Sequence, residues 1–333
     1  MRRMIVGLLC CVLAGLSGCK KEGTASPDAS GKPRYTVAVI AKGTTHEFWK
    51  TVEAGAREAA KDLNVEIKWD GPTKESEHDK QKAIFDNMVN LGVNGIALAP
   101  TDEEVLRRPV EAASERGLPI VIFDSNINTD KYVSFVATDN EKGGRMAGEK
   151  LVELLGEAGG NVVLLRYTEG SGSTLRRESG FMKALEGHAN ITLVDKQFTD
   201  GTPTDAIDKA SSMLTTRVKD NKLELAGAFA SNEPTSLGML KALERLKKQG
   251  VQVNVKFVGF DASEGLIVAM KAGTIDALVV QDPRRMGYLA VETLVNRLDG
   301  KQVPKYVPTD VQVVTAARLK DKAIRALLGL KDD

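Results

Sequence analysis

YTVAVIAKGTTHEFWKTVEAGAREAAKDLNVEIKWD, residues 35–70, is the stretch that decides the fold. TVAVIA (36–41) is a short β-branched run of strand length, and VEIKWD (65–70) is a second one. Between them, residues 46–63 repeat apolar side chains at helical spacing. Strands joined by a helical crossover run parallel, with helices packed on the sheet.

The pattern extends in both directions from this unit. GIALAP (95–100) and PIVIFD (119–124) read as further strands, with helices over 77–91 and 102–116. After SFVATD (134–139) it begins again: a helix over 141–155, then NVVLLRY (161–167), ITLVDKQF (191–198), LAGAFASN (225–232), VKFVGFD (255–261) and ALVVQD (277–282), separated by helices. That is more strands than one compact sheet carries. The expected fold is α/β, with two doubly wound parallel-sheet lobes joined by a hinge. Without an internal repeat, the two-lobe reading rests on counting elements.

Composition bounds what such a chain can do. With 333 residues, 42% hydrophobic and 27% charged, it can bury two cores. The 46 basic residues against 45 acidic give no field that would gather nucleic acid. The first residues differ in kind: Arg2 and Arg3 precede the apolar run MIVGLLCCVLAGL (4–16), which is too short for a spanning helix and reads as a secretory signal. LSGC (16–19) resembles the lipobox of bacterial lipoproteins, so Cys19 is the expected lipidation site. Cys10 and Cys11 fall within the signal, and cleavage before Cys19 leaves no intrachain disulfide. KKEGTASPDASGKP (20–33) suits a flexible tether. The expected organisation is a signal over 1–18, a lipidated tether over 19–34, a first lobe from 35–138 plus 283–307, and a second from 139–282 plus 308–325. A hinge crossing is also expected near 261–263.

In parallel α/β sheets, ligands sit beyond the carboxyl ends of the strands. Lys42, Asp124, Asp139, Asn232, Asp261, Gln281 and Asp282 stand at such ends. Any one of them could simply cap the following helix; taken together, they converge on a crevice if the lobes face one another. Thr44 and Glu47 have the spacing of a capping box. On the helix that follows, Phe48 shares a stripe with Val52, Ala59 and Leu63, so it belongs either to the core or to the crevice. Trp49 is rotated toward the flank, at the expected mouth of the crevice. Aromatic rings beside carboxylates and amides suit a sugar, whose C–H face stacks while its hydroxyls give and accept hydrogen bonds.

The ordered run FWKTVEAGAREAAKDL, APTD, VIFDSN, ATDNEKGGRMAGE, RRESGFMKAL, ASNEPTSLGMLKAL, VGFDASEGL and QDPRRMGYLAVE resembles the type I periplasmic solute-binding proteins, near the ribose-binding branch. The resemblance implies a ligand set of Lys42, His46, Phe48, Trp49, Asp124, Asn232, Asp261 and, at the hinge, Gln281. It places the family's ligand arginine at Leu175, beside Arg176, which either supplies the guanidinium or faces solvent. Where a ribose binder of the usual pattern has a small polar residue, an asparagine and two arginines, this chain has Lys42, Ala99, Ser125 and Leu175. Lys42 then meets a ligand carboxylate, a phosphate or a ring hydroxyl, or else forms a salt bridge to Asp124 or Glu47.

The implied function is an exported, lipid-anchored, monomeric receptor. It would capture a sugar or related polyol between its lobes and deliver it to an ABC transporter permease. A sensor feeding a chemoreceptor or sensor kinase is the near alternative; a secreted sugar-modifying enzyme is the distant one, and no nucleophile-and-base constellation supports it. A repressor's sensor domain would need a DNA-binding helix-turn-helix where the signal stands. GSGST (170–174) lacks the lysine of a phosphate-binding loop, and His46, His78 and His188 have no metal-ligand spacing. No cofactor or metal is expected.

Overall fold

The computed structural model describes residues 33–330. The expected signal, Cys19 and the tether up to residue 32 lie outside them. Arg34 is already tied into the fold: its N–H donates to the Asn64 carbonyl (3.0 Å), and its guanidinium pairs with Asp299 (3.2 Å).

Helices alternate with strands through the first lobe: β1 (Thr36–Ile40), α1 (Glu47–Asp62), β2 (Glu66–Asp70), α2 (His78–Asn90), β3 (Gly95–Leu98), α3 (Arg107–Glu115), β4 (Ile120–Phe123) and β5 (Ser134–Thr138). The second lobe holds α4 (Asn140–Leu155), β6 (Gly160–Leu165), α5 (Gly172–Leu185), β7 (Ile191–Gln197), α6 (Pro203–Thr215), a two-strand ribbon β8 (Val218–Lys219) and β9 (Lys222–Leu223), β10 (Gly227–Ala230), α7 (Glu233–Lys248), β11 (Lys256–Phe260), α8 (Glu264–Lys271) and β12 (Ala277–Gln281). The chain then returns through α9 (Pro283–Leu298) and β13 (Tyr306–Thr309) to the first sheet, and ends with β14 (Val311–Val314) and α10 (Lys322–Leu327) on the second.

The sheet orders are β13-β5-β4-β3-β1-β2 and β14-β12-β11-β10-β6-β7. Within these two sheets all pairings are parallel except β12 with β14, and the separate β8–β9 ribbon is antiparallel. Helices cover both faces, which is why β3 and β4 are buried at every position and read as unbroken apolar runs. In the first lobe one face packs Val52, Ala56 and Val121 against Met286 and Leu294, and the other packs Phe85, Leu106 and Val110. The second lobe is layered in the same way, with Met239, Leu243 and Leu266 on one side and Phe181, Phe229 and Leu151 on the other.

The chain passes between the sheets at 138–140, at 281–283 and at Asp310. No crossing falls at 261–263, because β11 leads through α8 to β12 within one sheet. The third crossing is the single residue between β13 and β14. In each lobe one helix pair touches backbone to backbone: a Cβ on Gly55 of α1 would stand 1.9 Å from the Arg284 carbonyl oxygen of α9, and one on Gly144 of α4 would stand 1.8 Å from that of Arg177 in α5. Glycine is what permits both approaches.

Candidate functional site

β4 and β11 end alike, in Phe123-Asp124 and Phe260-Asp261. Both aspartates take left-handed backbone, with φ of 60° and 66°, and each N–H donates to the neighbouring strand, to Val136 O (3.0 Å) and Val279 O (2.8 Å). Such a conformation costs a non-glycine residue about 1 kcal/mol or more, and asparagine and aspartate tolerate it best. It turns the two carboxylates into a single small cavity between the lobes, with room of about 20 Å³.

In the first-lobe half, Glu75, from the loop after β2, accepts a bond from Trp49 Nε1 (2.7 Å), contacts His46 Nδ1 (3.3 Å) and pairs with Lys42 Nζ (3.5 Å). Burial alone would raise its pKa, but Lys42, His46 and the indole N–H bring it down from 4.5 to about 2. Burial likewise works against the His46 imidazolium, yet Glu75, with Glu233 and Asp261 beyond, outweighs it and raises that pKa. Lys42, only 2% exposed, lies 3.6 Å from Asp124. Its ammonium also donates to Ser125 Oγ (3.1 Å) and, across the cleft, to Ser171 (3.0 Å) and Ser173 (3.3 Å). Phe48 and Trp49 meet edge to face, their centroids 4.9 Å apart, and form one wall.

The second-lobe half is built around Arg177. Its guanidinium stacks on Phe260 (4.0 Å), lies 3.7 Å from Asp261, and donates to Asn140 Oδ1 (2.8 Å) and the Ser231 carbonyl (3.1 Å). Gln281 Nε2 donates to Asp261 Oδ1 (2.7 Å), while Gln281 Oε1 is buried without a partner. Burial raises the pKa of Asp261 even with Arg177 and Gln281 beside it. Asn232 lines the cavity and also forms a capping box with Thr235 at the start of α7.

The lobes meet through helix ends. The expected Thr44–Glu47 capping box does not form: α1 begins at Glu47, and its N-cap, His46, makes no side-chain cap. The amides of Glu47 and Phe48 donate instead to Glu233 from the other lobe, at 3.3 and 3.0 Å. In return Glu47 accepts from the first amide of α8, Glu264 N–H (3.1 Å). A carboxylate is favoured at a helix N-terminus by the orphan N–H groups and the dipole.

Lys42, His46, Phe48, Trp49, Asp124, Asn232, Asp261 and Gln281 are thus brought together around one cavity. Arg176 is not. Its side chain is 42% exposed and bonds Glu103 of the first lobe (3.1 Å), whereas Arg177, one helical step on, points inward. Trp49 lies against Phe123 in the core as well as on the cavity, not at an open mouth. Lys42 pairs with Asp124 and Glu75, and not with Glu47. Asp139 and Asp282 cap α4 and α9. The sequence reading missed Glu75, Asn140, Ser173, Arg177 and Glu233. A signal existed for one of them: Arg177 shares a buried helical stripe with Phe181 and Leu185, whereas Glu75 lies five residues beyond β2 and not at the strand end. A wider groove along α1, α9 and α10 shares Phe48, Asp261 and Gln281 with the cavity, but the convergent polar groups lie in the smaller space.

Two doubly wound lobes, three crossings and a polar cavity between opposed strand ends define a two-lobed binding protein. The chain belongs to the periplasmic binding protein domain family, whose model matches residues 37–302, and within it to the ribose-binding-like, type I group. It is 27% identical to the ribose import binding protein of Bacillus subtilis, over 95% of this chain and 99% of that one. It is 26% identical to the D-allose-binding periplasmic protein of Escherichia coli, over 82% and 86%. The crystal structure of a carbohydrate transporter solute-binding protein from Agrobacterium radiobacter, in complex with D-arabinose, superposes with a TM-score of 0.81 at 32% identity, covering 88% of this chain and 98% of that one. Membership places the protein among exported binding proteins, not enzymes.

Proposed function

We propose that the protein is an extracytoplasmic receptor, anchored through lipid on Cys19, that closes its two lobes on a sugar or sugar-like polyol and hands it to an ABC-type importer. The observation that carries this reading is the pair of left-handed strand-end aspartates, one from each lobe, facing the same cavity. Asp124 and Asp261 would accept ligand hydroxyls in charge-assisted bonds. The unpartnered Gln281 Oε1 would take another, Asn232 would bond a further hydroxyl, and Phe48 and Trp49 would cover the C–H face. The sugars named for the similar proteins agree with this chemistry.

The charge pattern supports a neutral ligand. Lys42, His46 and Arg177 are already paired with carboxylates, and Glu75, Asp124, Glu233 and Asp261 border the same space. A sugar acid or sugar phosphate would meet four carboxylates and no free cation. Because the groups come from both lobes, a ligand bridging them favours the closed form, which would be the one a permease reads.

A thermal-shift screen against neutral sugars, polyols, sugar acids and sugar phosphates tests the reading, since a ligand bound only by the folded state raises Tm. A shift from neutral sugars or polyols alone, without turnover, is expected. No shift from any of them would overturn the proposal.

A further inference from the structure

We propose that Glu103 and Arg176 are positioning residues: with the glycine-rich segment 170–172 they form a clasp between the lobes, outside the cavity, that raises affinity for every ligand by one common factor. The proposal rests on the receptor reading above.

GSGST (170–174) is no phosphate loop, and what it faces is the other lobe. The Glu103 N–H donates to the Gly170 carbonyl (3.1 Å), and the Glu103 carboxylate accepts from Arg176 Nη1 (3.1 Å). The approach is one that only glycine allows: a Cβ on Gly170 would stand 2.0 Å from Asp102 Oδ2, and one on Gly172 would stand 2.7 Å from Glu103 Oε1. Gly170 also takes left-handed backbone, with φ of 85°. Gly172 does not, and the nearest atoms its Cβ would meet all belong to Glu103, so its own lobe has room for a side chain. Asp102, Glu103, Gly170, Gly172 and Arg176 do not line the cavity.

Each side of the clasp is held by its own lobe. Asp102 Oδ1 accepts from the amides of Glu104 (2.7 Å) and Val105 (3.0 Å), and the Glu103 carbonyl accepts from the Asn128 N–H (2.9 Å). Across the seam, the Thr174 hydroxyl donates to the Ser171 carbonyl (3.2 Å), and α5 starts at Gly172. Surfaces already shaped lose little freedom when they join. Bonds between protein groups alone favour the joined lobes by the same amount whatever lies in the cavity, and a ligand's apparent Kd falls as the population of the joined form rises.

The test is calorimetric titration of the wild type, Arg176→Ala, Gly172→Ala, Glu103→Ala and Gly172→Ala/Glu103→Ala with D-ribose, D-allose and D-arabinose, each form being checked for folding by circular dichroism. Arg176→Ala should weaken every sugar that binds by the same factor, about two- to fivefold for a part-exposed ion pair. The loss should appear in the dissociation rate, because the lobes must part to release the ligand. Gly172→Ala should weaken binding at least as much, yet add nothing to Glu103→Ala, whose shortened side chain no longer meets the new methyl. An unchanged Kd in both Arg176→Ala and Gly172→Ala, a factor that differs from sugar to sugar, or a Gly172→Ala effect undiminished by Glu103→Ala overturns the clasp and leaves the receptor intact. If none of the three sugars binds, the receptor reading falls for them, and the clasp is judged by X-ray scattering from the ligand-free protein: expansion in Arg176→Ala and Gly172→Ala upholds it, and profiles identical to wild type overturn it.

Discussion

The two halves of the cleft use the same device and support it differently. Asp124 and Asp261 end equivalent strands in the same left-handed conformation. The cation beside Asp261 is Arg177, fixed within its own lobe by Phe260, Asn140 and Ser231. The cation beside Asp124 is Lys42, and two of its three hydroxyl partners belong to the opposite lobe. The second-lobe half is therefore complete within its own lobe, while the first-lobe half needs both lobes. A ligand that docks first on the second lobe meets a finished surface.

The sharpest way to break this comparison is to remove each aspartate. Either alanine substitution should weaken ligand binding by about 10- to 100-fold, the worth of a charge-assisted bond. Their effects on stability should differ. Asp261→Ala leaves the buried Arg177 guanidinium without its carboxylate and should cost about 3 kcal/mol in denaturant unfolding, whereas Lys42 keeps Glu75 when Asp124 is lost. Equal stability losses would mean that the two cations are equally supported.

Acid titration sharpens the first-lobe side. The folded-state pKa of Glu75, about 2, lies below its ordinary 4.5. The stability it confers is thus complete above about pH 4.5 and disappears as the pH falls toward 2, with a size on the order of 3 kcal/mol. Glu75→Gln should flatten the loss of Tm across that window and leave the rest of the profile in place; an unaltered slope would mean that other carboxylates carry it.

Gly55→Ala and Gly144→Ala separate packing from site-building. Each drives a methyl into a facing carbonyl oxygen and should destabilise its lobe by about 1–3 kcal/mol. Only Gly144 presses on the backbone of Arg177, so only its variant should also lose ligand affinity in titrations. The smallest effect belongs to the exchanged caps. Glu233→Gln should cost the closed form about 1 kcal/mol, seen as a several-fold weaker Kd, and the solvent-facing Glu47→Gln should cost less.

Much of this was legible in the sequence because strands buried on both faces, such as β1 and β4, leave unbroken apolar runs, and because residues just after several of these runs, Lys42, Asp124, Asn232 and Asp261, line the cavity. The return through β13 and β14 was harder to see, since two strands on different sheets are divided only by Asp310. Arg177 was missed by one position, yet a single residue rotates a helical side chain by about 100°. Glu75 and Glu233 were hidden for another reason: each is defined by a partner far away in sequence, Lys42 or the end of α1, and no local periodicity records such a pairing. Trp49 resisted assignment because it does two things, bonding Glu75 with its N–H while its ring fills the core.

The start of α1 is finished by a residue of the opposite lobe. Were the lobes to part, the amides of Glu47 and Phe48 would lose the Glu233 carboxylate and turn to water, while those deeper in the helix would keep their own carbonyls. The solvent exchange of two adjacent backbone protons would thereby report the balance between joined and parted lobes, whatever ligand is inside.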